Sequence, residues 1–307
     1  MPYSLDNLLV IGISSRALFD LETEEAIFQT QGLTVYQQHQ RDNENLILKT
    51  GAAFALVQAL LQLNQLQTDQ RLVEVVIMSR NSTETSLRIF NSIKHYDLDI
   101  TRAVLSGGAP LAPYLLAFNV SLFLSLHEVD VQDAINAGTA AALLYQKPEK
   151  TTHIETEESV DQIRIAFDGD AVIFSNASEQ IYQTQGIEAF EQHERENALK
   201  SLPEGPFAKL LIALSTIQHH FKNVENHPPP IRTALVTARA SPAHERVIRT
   251  LRAWDVTIDE TFFMGGVAKS DVLAAFKPHM FFDDQLAHCE LAAGKVQTGR
   301  VLWKQTE

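Results

Sequence analysis

Short apolar segments alternate along the chain with longer amphipathic or polar stretches. In the first half, strand-like segments lie at 8–13, 73–78, 102–105 and 122–125, and helix-like stretches at 29–45, 52–63, 83–96 and 113–118. The second half contains strand-like segments at 163–167, 233–236 and 279–282. Strands that alternate with helices are typical of parallel sheets covered by helices on both faces. The pattern therefore predicts an α/β fold.

The second half of the chain repeats the first. The sequence Gln29-Thr30-Gln31-Gly32 recurs as Gln183-Thr184-Gln185-Gly186, an offset of 154 residues, and from Ser79 and Thr237 onward the offset is 158. Because the matches keep the same order in both halves, we interpret the chain as a duplication, with two tandem Rossmann-like halves.

The polar stretch 147–161 is the expected boundary between the halves, which gives residues 1–150 and 160–307. The second half has additional residues, which we assign to a polar linker around His219, His220 and His227. In a proline-rich linker, these histidines are interpreted as a solvated loop rather than a metal site.

Composition excludes several classes of partner. The formal net charge of −13 argues against nucleic acid, because phosphate backbones bind to basic surfaces. No apolar run approaches the ~18 residues of a membrane span, and we expect neither a membrane segment nor a signal peptide. The single cysteine, Cys289, is expected in the core, and the cytoplasm is the simplest compartment. The oligomeric state is left open, including a homo-oligomer.

Candidate catalytic side chains follow the strands of the second half. Asp168 and Asp170 come after the strand 163–167, Thr237 ends the next strand, Lys269 opens a helix, and Asp283-Asp284 end another strand. Ligands of open α/β sheets bind beyond such strand ends. At the equivalent positions the first half has Ser14-Ser15-Arg16, Leu111 and Ser125-Leu126. The second half is therefore interpreted as catalytic and the first as degenerate.

This order of motifs resembles the haloacid dehalogenase superfamily of phosphohydrolases. The superfamily pattern is Asp-x-Asp, then a strand that ends in Thr, then Lys, then a strand that ends in Asp-Asp. The resemblance implies a haloacid dehalogenase-type fold. The interval between Asp168 and Thr237 would then house a small helical cap, at about residues 175–230.

A closer resemblance covers nearly the whole chain. The motifs Ile13-Ser14-Ser15-Arg16-Ala17-Leu18-Phe19-Asp20, Met78-Ser79-Arg80-Asn81-Ser82, Phe90-Asn91-Ser92-Ile93, Ala117-Phe118-Asn119-Val120 and Phe167-Asp168-Gly169-Asp170-Ala171-Val172 are similar to those of the cytosolic 5′-nucleotidase I family. This resemblance implies Mg²⁺-dependent hydrolysis of nucleoside 5′-monophosphates, with AMP preferred.

Roles for the catalytic candidates follow from this resemblance and from the needs of phosphoryl transfer. Asp168 would attack phosphorus, and Asp170 would protonate the leaving oxygen and then activate water. Mg²⁺ would bind Asp168, the carbonyl of Asp170 and Asp283. Thr237 would contact a phosphate oxygen, and Lys269 would balance charge. Asp284 is either a further metal ligand or the residue that holds Lys269.

Two further groups are candidates for substrate binding. Phe190, His193 and Glu194 in the expected cap would contact base or ribose, or would merely form an amphipathic helix. In the first half, Ser14, Ser15, Arg16, Ser79, Arg80 and Asn81 are expected to line a crevice.

The two arginines of that crevice, Arg16 and Arg80, suit a phosphate group. The phosphate would belong to the substrate or to a regulatory nucleotide. Alternatively, Arg16 pairs with Asp20 or another nearby acid and fills a dead site.

Two other functions compete with the nucleotidase. One is a haloacid dehalogenase-type phosphatase for another small phosphate ester, since cap residues select the substrate. The other is a nucleotide-sensing protein without turnover, against which the intact acids of the second half argue.

Overall fold

The structure, a computed structural model, describes residues 4–66, 70–146, 162–222 and 229–304. The chain divides into two units, Met1–Lys147 with Lys304–Glu307 (unit 1) and Pro148–Trp303 (unit 2). The expected boundary segment 147–161 lies outside the described residues.

Unit 1 is built on parallel strands. Its elements are β1 (Leu9–Ile13), α1 (Ser15–Leu18), α2 (Glu22–Asp42), α3 (Phe54–Leu66), β2 (Val73–Ser79), α4 (Leu87–His95), β3 (Arg102–Leu105), α5 (Ala112–Ala117), β4 (Leu122–Ser125), α6 (Glu128–Asn136) and β5 (Ala141–Leu144). The strand order is β3-β2-β1-β4-β5. Every residue of β1, β2 and β4 is buried, as expected for strands covered by helices on both faces.

Unit 2 follows the same order of strands and crossover helices. They are β6 (Ile163–Phe167), α7 (Ala177–Gln185), α8 (Ile187–Glu196), α9 (Ala208–Phe221), β7 (Ile231–Thr237), α10 (His244–Ala253), β8 (Glu260–Phe263), α11 (Ser270–Phe276), β9 (Met280–Asp283), α12 (Leu286–Ala293) and β10 (Thr298–Val301). The strand order β8-β7-β6-β9-β10 is parallel and matches that of unit 1. The mixed α/β fold with parallel sheets is confirmed, and the shared strand order agrees with a duplication.

The helix pair expected as a cap belongs to the repeat. Gly186 lies between α7 and α8 at φ 85° and ψ 179°, and Gly32 interrupts α2 at φ 80° and ψ 177°. Positive φ at both positions suits glycine, which lacks a Cβ. Unit 1 therefore has an interrupted helix at the same place as the helix pair expected as a cap.

The third helix between β6 and β7 belongs to the sheet layer. Helix α9 buries eight of its residues and packs against β7, as a crossover helix of a parallel sheet does. Helix α9 therefore does not belong to a separate cap, and the expected cap at about 175–230 would be limited to α7 and α8.

The linker histidines are also placed differently from the expectation. His219 and His220 lie in the last turn of α9, and His219 Nε2 is 2.8 Å from Thr257 Oγ1. They are therefore helical rather than part of a solvated loop, and His227 lies outside the described residues. In the described parts of the chain, none of the helices is both long and apolar enough to span a membrane.

Candidate active site

Three polar side chains meet at the carboxyl ends of neighbouring strands in unit 2. Strand β6 pairs with both β7 and β9, so Asp168, Thr237 and Asp283 lie at the same edge. The backbone N–H of Asp168 donates to the carbonyl of Phe282 at 2.8 Å, which fixes the turn that follows β6. All three side chains are buried. The sheet therefore brings together residues that are far apart in the sequence.

Gly169 is required by the close approach of this turn to β7. A Cβ at this position would lie 3.1 Å from Thr237 Oγ1 and 3.3 Å from Thr237 Cβ. Such contacts are tighter than most Cβ atoms make, so the Thr237 side chain would have to move by a few tenths of an ångström. The absence of a side chain at Gly169 therefore leaves room for the Thr237 hydroxyl at this strand end.

Lys269 binds two of the buried carboxylates. Its Nζ lies 2.8 Å from Asp168 Oδ1 and 2.7 Å from Asp283 Oδ2. Burial alone would lower the pKa of this ammonium, but Asp168 and Asp283 outweigh burial and raise the pKa above its usual range. Lys269 is therefore charged at neutral pH and neutralises part of the acidic cluster.

The acidic cluster consists of Asp168, Asp283 and Asp284. One carboxylate oxygen from each lies within 4.8 Å of the others. Burial, reinforced by the charge of Asp283, raises the pKa of Asp168 to about 7 against the opposing charge of Lys269. Burial and the charges of Asp168 and Asp283 raise the pKa of Asp284 to about 8. Three buried carboxylates therefore face one lysine, which leaves negative charge uncompensated.

A hard divalent cation fits this donor set. Carboxylate oxygens are the preferred ligands of Mg²⁺, and a divalent charge would stabilise the ionised forms of Asp168 and Asp284, whose pKa values are raised by burial and by neighbouring carboxylates. The cluster could therefore hold a metal ion.

The two adjacent aspartates differ in their contacts. Asp283 pairs with Lys269, accepts the backbone N–H of Gln285 at 2.9 Å and lies 3.3 Å from His288 Nδ1. Although burial raises the pKa of Asp283, His288 and Lys269 outweigh it and hold this pKa low. The alternative in which Asp284 holds Lys269 is wrong, because Asp283 makes that contact. The carboxylate of Asp284 therefore makes fewer hydrogen bonds than that of Asp283.

Arg239 is a site residue that the sequence analysis missed. Its Nε and Nη2 each donate to one carboxylate oxygen of Asp170 at 2.7 Å, and its Nη1 donates to Glu194 Oε2 at 2.6 Å. Asp170 and Glu194 outweigh burial and raise the pKa of Arg239. The sequence feature that indicates it is its position two residues after Thr237, at the end of the strand beside the one that leads to Asp170.

Phe190 and Glu194 of α8 contact Arg239, whereas His193 of the same helix lies beside Arg246. The guanidinium carbon of Arg239 is 5.5 Å from the Phe190 ring centroid. Both oxygens of Glu194 are occupied by arginines, and His193 Nε2 lies 3.4 Å from Arg246 Nη1. The structure therefore does not support a contact between Glu194 and the base or ribose.

The equivalent strand ends of unit 1 carry a neutral hydrogen-bond network. Ser14 caps α1 by accepting the N–H of Ala17 at 3.2 Å. The hydroxyls of Ser15 and Ser79 are 3.2 Å apart, and Asn81 Nδ2 donates to Ser15 Oγ at 3.5 Å. These residues lie together as expected, and their hydroxyls bond to one another.

Both arginines of unit 1 are paired with acids. Arg16 Nη2 lies 2.8 Å from Glu22 Oε1, and Arg16 Nη1 lies 3.4 Å from Glu25 Oε2. Arg80 Nε donates to Asp130 Oδ1 at 2.6 Å. Arg16 therefore pairs with nearby acids, as the second alternative expected. Its partners are Glu22 and Glu25 rather than Asp20.

Cys289 is buried, and burial raises the pKa of its thiol. Its Sγ donates to the carbonyl oxygen of Asp283 at 3.3 Å. The expected core position is confirmed, and the residue supports the strand end that carries the acids.

Comparison with known proteins shows the family of the chain. The chain is 38% identical over 297 residues to human cytosolic 5′-nucleotidase 1B, an alignment that covers 94% of this chain and 48% of the relative. The chain thus spans about half the length of this curated relative. No solved structure matches. A family model described as 5′-nucleotidase matches residues 1–307, so the chain belongs to the 5′-nucleotidase family.

Proposed function

We propose that this chain hydrolyses nucleoside 5′-monophosphates, AMP preferentially, to nucleoside and inorganic phosphate. The observation that carries the proposal is the buried group of Asp168, Asp283, Asp284 and Lys269 at the strand ends of unit 2. Membership of the 5′-nucleotidase family and the similarity to a cytosolic 5′-nucleotidase support the substrate class and a cytoplasmic setting.

In the proposed reaction, a carboxylate oxygen of Asp168 attacks phosphorus and the bond from phosphorus to the 5′-oxygen breaks. The 5′-oxygen takes a proton from Asp170 and leaves as the nucleoside hydroxyl. Water then attacks the aspartyl-phosphate and gives its proton to Asp170, which releases phosphate and restores Asp168. Thr237 Oγ1 donates to a phosphate oxygen, and Lys269 stabilises the charge on the transferring group.

The residues proposed to hold Mg²⁺ are Asp168, Asp284 and the backbone carbonyl of Asp170. Asp283 is assigned to holding Lys269, because its contacts with Lys269 and Gln285 engage both carboxylate oxygens. When bound, the ion would neutralise negative charge on the phosphate and on the attacking carboxylate.

A second nucleotide site at Arg16 and Arg80 is not part of this proposal. Both guanidinium groups already pair with carboxylates of unit 1, which would have to be displaced by an incoming phosphate.

The substrate class is tested by phosphate release from a panel of esters in the presence of Mg²⁺. We expect AMP to be hydrolysed fastest among 5′-monophosphates. We expect 5′-monophosphates to exceed adenosine 3′-monophosphate and simple sugar phosphates in kcat/KM by about tenfold or more, as membership of the 5′-nucleotidase family predicts. The reverse order would indicate a general phosphatase. Tight AMP binding without phosphate release would indicate a sensing protein.

A further inference from the structure

The geometry points to Arg239 as a positioning residue that orients Asp170, with Glu194 of the cap helix α8 holding Arg239 in place. This inference rests on the proposed function, in which Asp170 transfers the proton. It assigns a role to a buried charged network that the nucleophile, the metal ligands and Lys269 do not explain.

The network is a row of alternating charges from Asp170 to helix α10. Arg239 binds both carboxylate oxygens of Asp170 and one oxygen of Glu194. The other oxygen of Glu194 accepts from Arg246 Nη1 at 2.9 Å and from Ser178 Oγ at 2.8 Å. The exposed fractions of the Arg239 and Glu194 side chains are 2% and 0%. Charges buried this deeply are costly unless paired, so the geometry of Arg239 is fixed from both sides.

Unit 1 provides an internal comparison, because its helices have the same arrangement without these charges. At the positions of Asp170, Arg239 and Glu194 it has Arg16, Asn81 and Gln40. Tyr36 donates to Asn81 Oδ1 at 3.2 Å, and Gln40 Nε2 donates to Tyr36 at 3.2 Å. Unit 1 therefore has neutral amides at the positions of Arg239 and Glu194, although it keeps a buried ion pair between Glu24 and Arg88. The charges in unit 2 need a separate reason, which the contact with Asp170 supplies.

The position of the buried glutamate also differs between the units. In unit 1, Glu24 pairs with Arg88 and His39. Arg88 is the equivalent of Arg246, whereas Ser178 occupies the equivalent position of Glu24. In unit 2 the acid is instead at 194, from which it reaches both Arg246 and Arg239. If the acid served only to pair with the arginine that both units share, Arg88 or Arg246, it would not need to lie at 194 rather than at the position of Ser178.

The bidentate contact limits the orientations of the Asp170 carboxylate. A planar guanidinium with two parallel hydrogen bonds fixes a carboxylate more firmly than a single contact does. When one oxygen of Asp170 turns to the leaving group, the other can remain on Arg239. Since Glu194 belongs to α8, the orientation of Asp170 depends on the position of the cap helix.

The test compares AMP with its 5′-thio analogue, in which sulfur replaces the 5′-oxygen. A thiolate leaves without protonation, so kcat/KM for the analogue does not depend on proton donation by Asp170. The variants are Glu194→Gln and the double variant Arg239→Asn with Glu194→Gln. Both place in unit 2 the amides that unit 1 accommodates at the same positions, and thermal unfolding reports whether the fold persists.

We expect kcat/KM for AMP to fall about tenfold in Glu194→Gln and about 100-fold in the double variant, mainly through kcat. The thio analogue should change by no more than about threefold. Parallel losses on both substrates, a loss confined to KM, or unchanged AMP turnover in folded variants would each overturn the inference. Failure of the parent chain to hydrolyse AMP would instead contradict the proposed function.

Glu24→Gln in unit 1 is the matched control. It removes the buried carboxylate that pairs with Arg88, the counterpart of Arg246 in unit 1. We expect the ratio of kcat/KM for AMP to kcat/KM for the 5′-thio analogue to equal that of the parent chain. A shift of this ratio like that of Glu194→Gln would show a general response to lost ion pairs and would also overturn the inference.

Discussion

Replacement of Asp168 by asparagine is expected to reduce phosphate release from AMP by more than about 10⁴-fold. The amide has nearly the same shape but cannot attack phosphorus. Because the substitution also removes one charge from a buried group of three carboxylates, the fold should be retained. Initial rates with AMP and Mg²⁺, together with a thermal unfolding curve, measure both effects.

Asp271→Asn provides a matched control for this variant. Asp271 lies in the same unit, and its side chain is 83% exposed beside Lys295. Exposed ion pairs contribute little to stability, so activity and unfolding temperature should equal those of the parent. Activity of Asp168→Asn within tenfold of the parent would exclude Asp168 as the nucleophile.

Removal of divalent metal is expected to abolish turnover, with recovery when Mg²⁺ is added back. Without a metal ion, the positive charge of Lys269 offsets only part of the charge of Asp168, Asp283 and Asp284, and the attacking carboxylate would be protonated or repelled by the phosphate. Dialysis against EDTA followed by a Mg²⁺ titration of the AMP rate measures the requirement. Full activity of thoroughly chelated protein would exclude the metal-dependent mechanism.

The stability of the metal-free protein should also depend on pH. In the folded state the pKa values of Asp168 and Asp284 are raised from 3.8 to about 7 and about 8. Between about pH 4 and pH 8 the folded protein therefore holds protons that the unfolded chain has released, so stability falls as pH rises. Mg²⁺ requires the deprotonated carboxylates, so its stabilising effect on the unfolding temperature should be larger at pH 8 than at pH 5.

The strand-ending residues of the site were predictable because periodicity and topology act together. Apolar runs such as 163–167 identify buried strands, and parallel neighbours bring their carboxyl ends to one edge. Asp168, Thr237 and Asp283 therefore meet as expected. The duplication strengthened the prediction, since unit 1 has neutral residues at the equivalent positions.

The contacts of Arg239 and the extent of the cap were less accessible from the sequence. An arginine after a strand is commonly solvated, and its burial depends on Glu194, which lies 45 residues earlier in the chain. The apolar face of α9 shows that it is buried, but only the tertiary contact with β7 assigns it to the sheet layer. The partners of Asp283 and Asp284 also depend on side-chain directions that adjacent positions in a sequence do not specify.

Identification of the phosphorylated residue tests the central claim most directly. The parent chain, mixed with AMP and Mg²⁺ and quenched in acid during turnover, would be treated with borohydride, which reduces an aspartyl-phosphate to homoserine. Mass spectrometry of the peptides should find homoserine at position 168, and none in Asp168→Asn. Homoserine at another aspartate, or active turnover without any acyl-phosphate at position 168, would contradict the account.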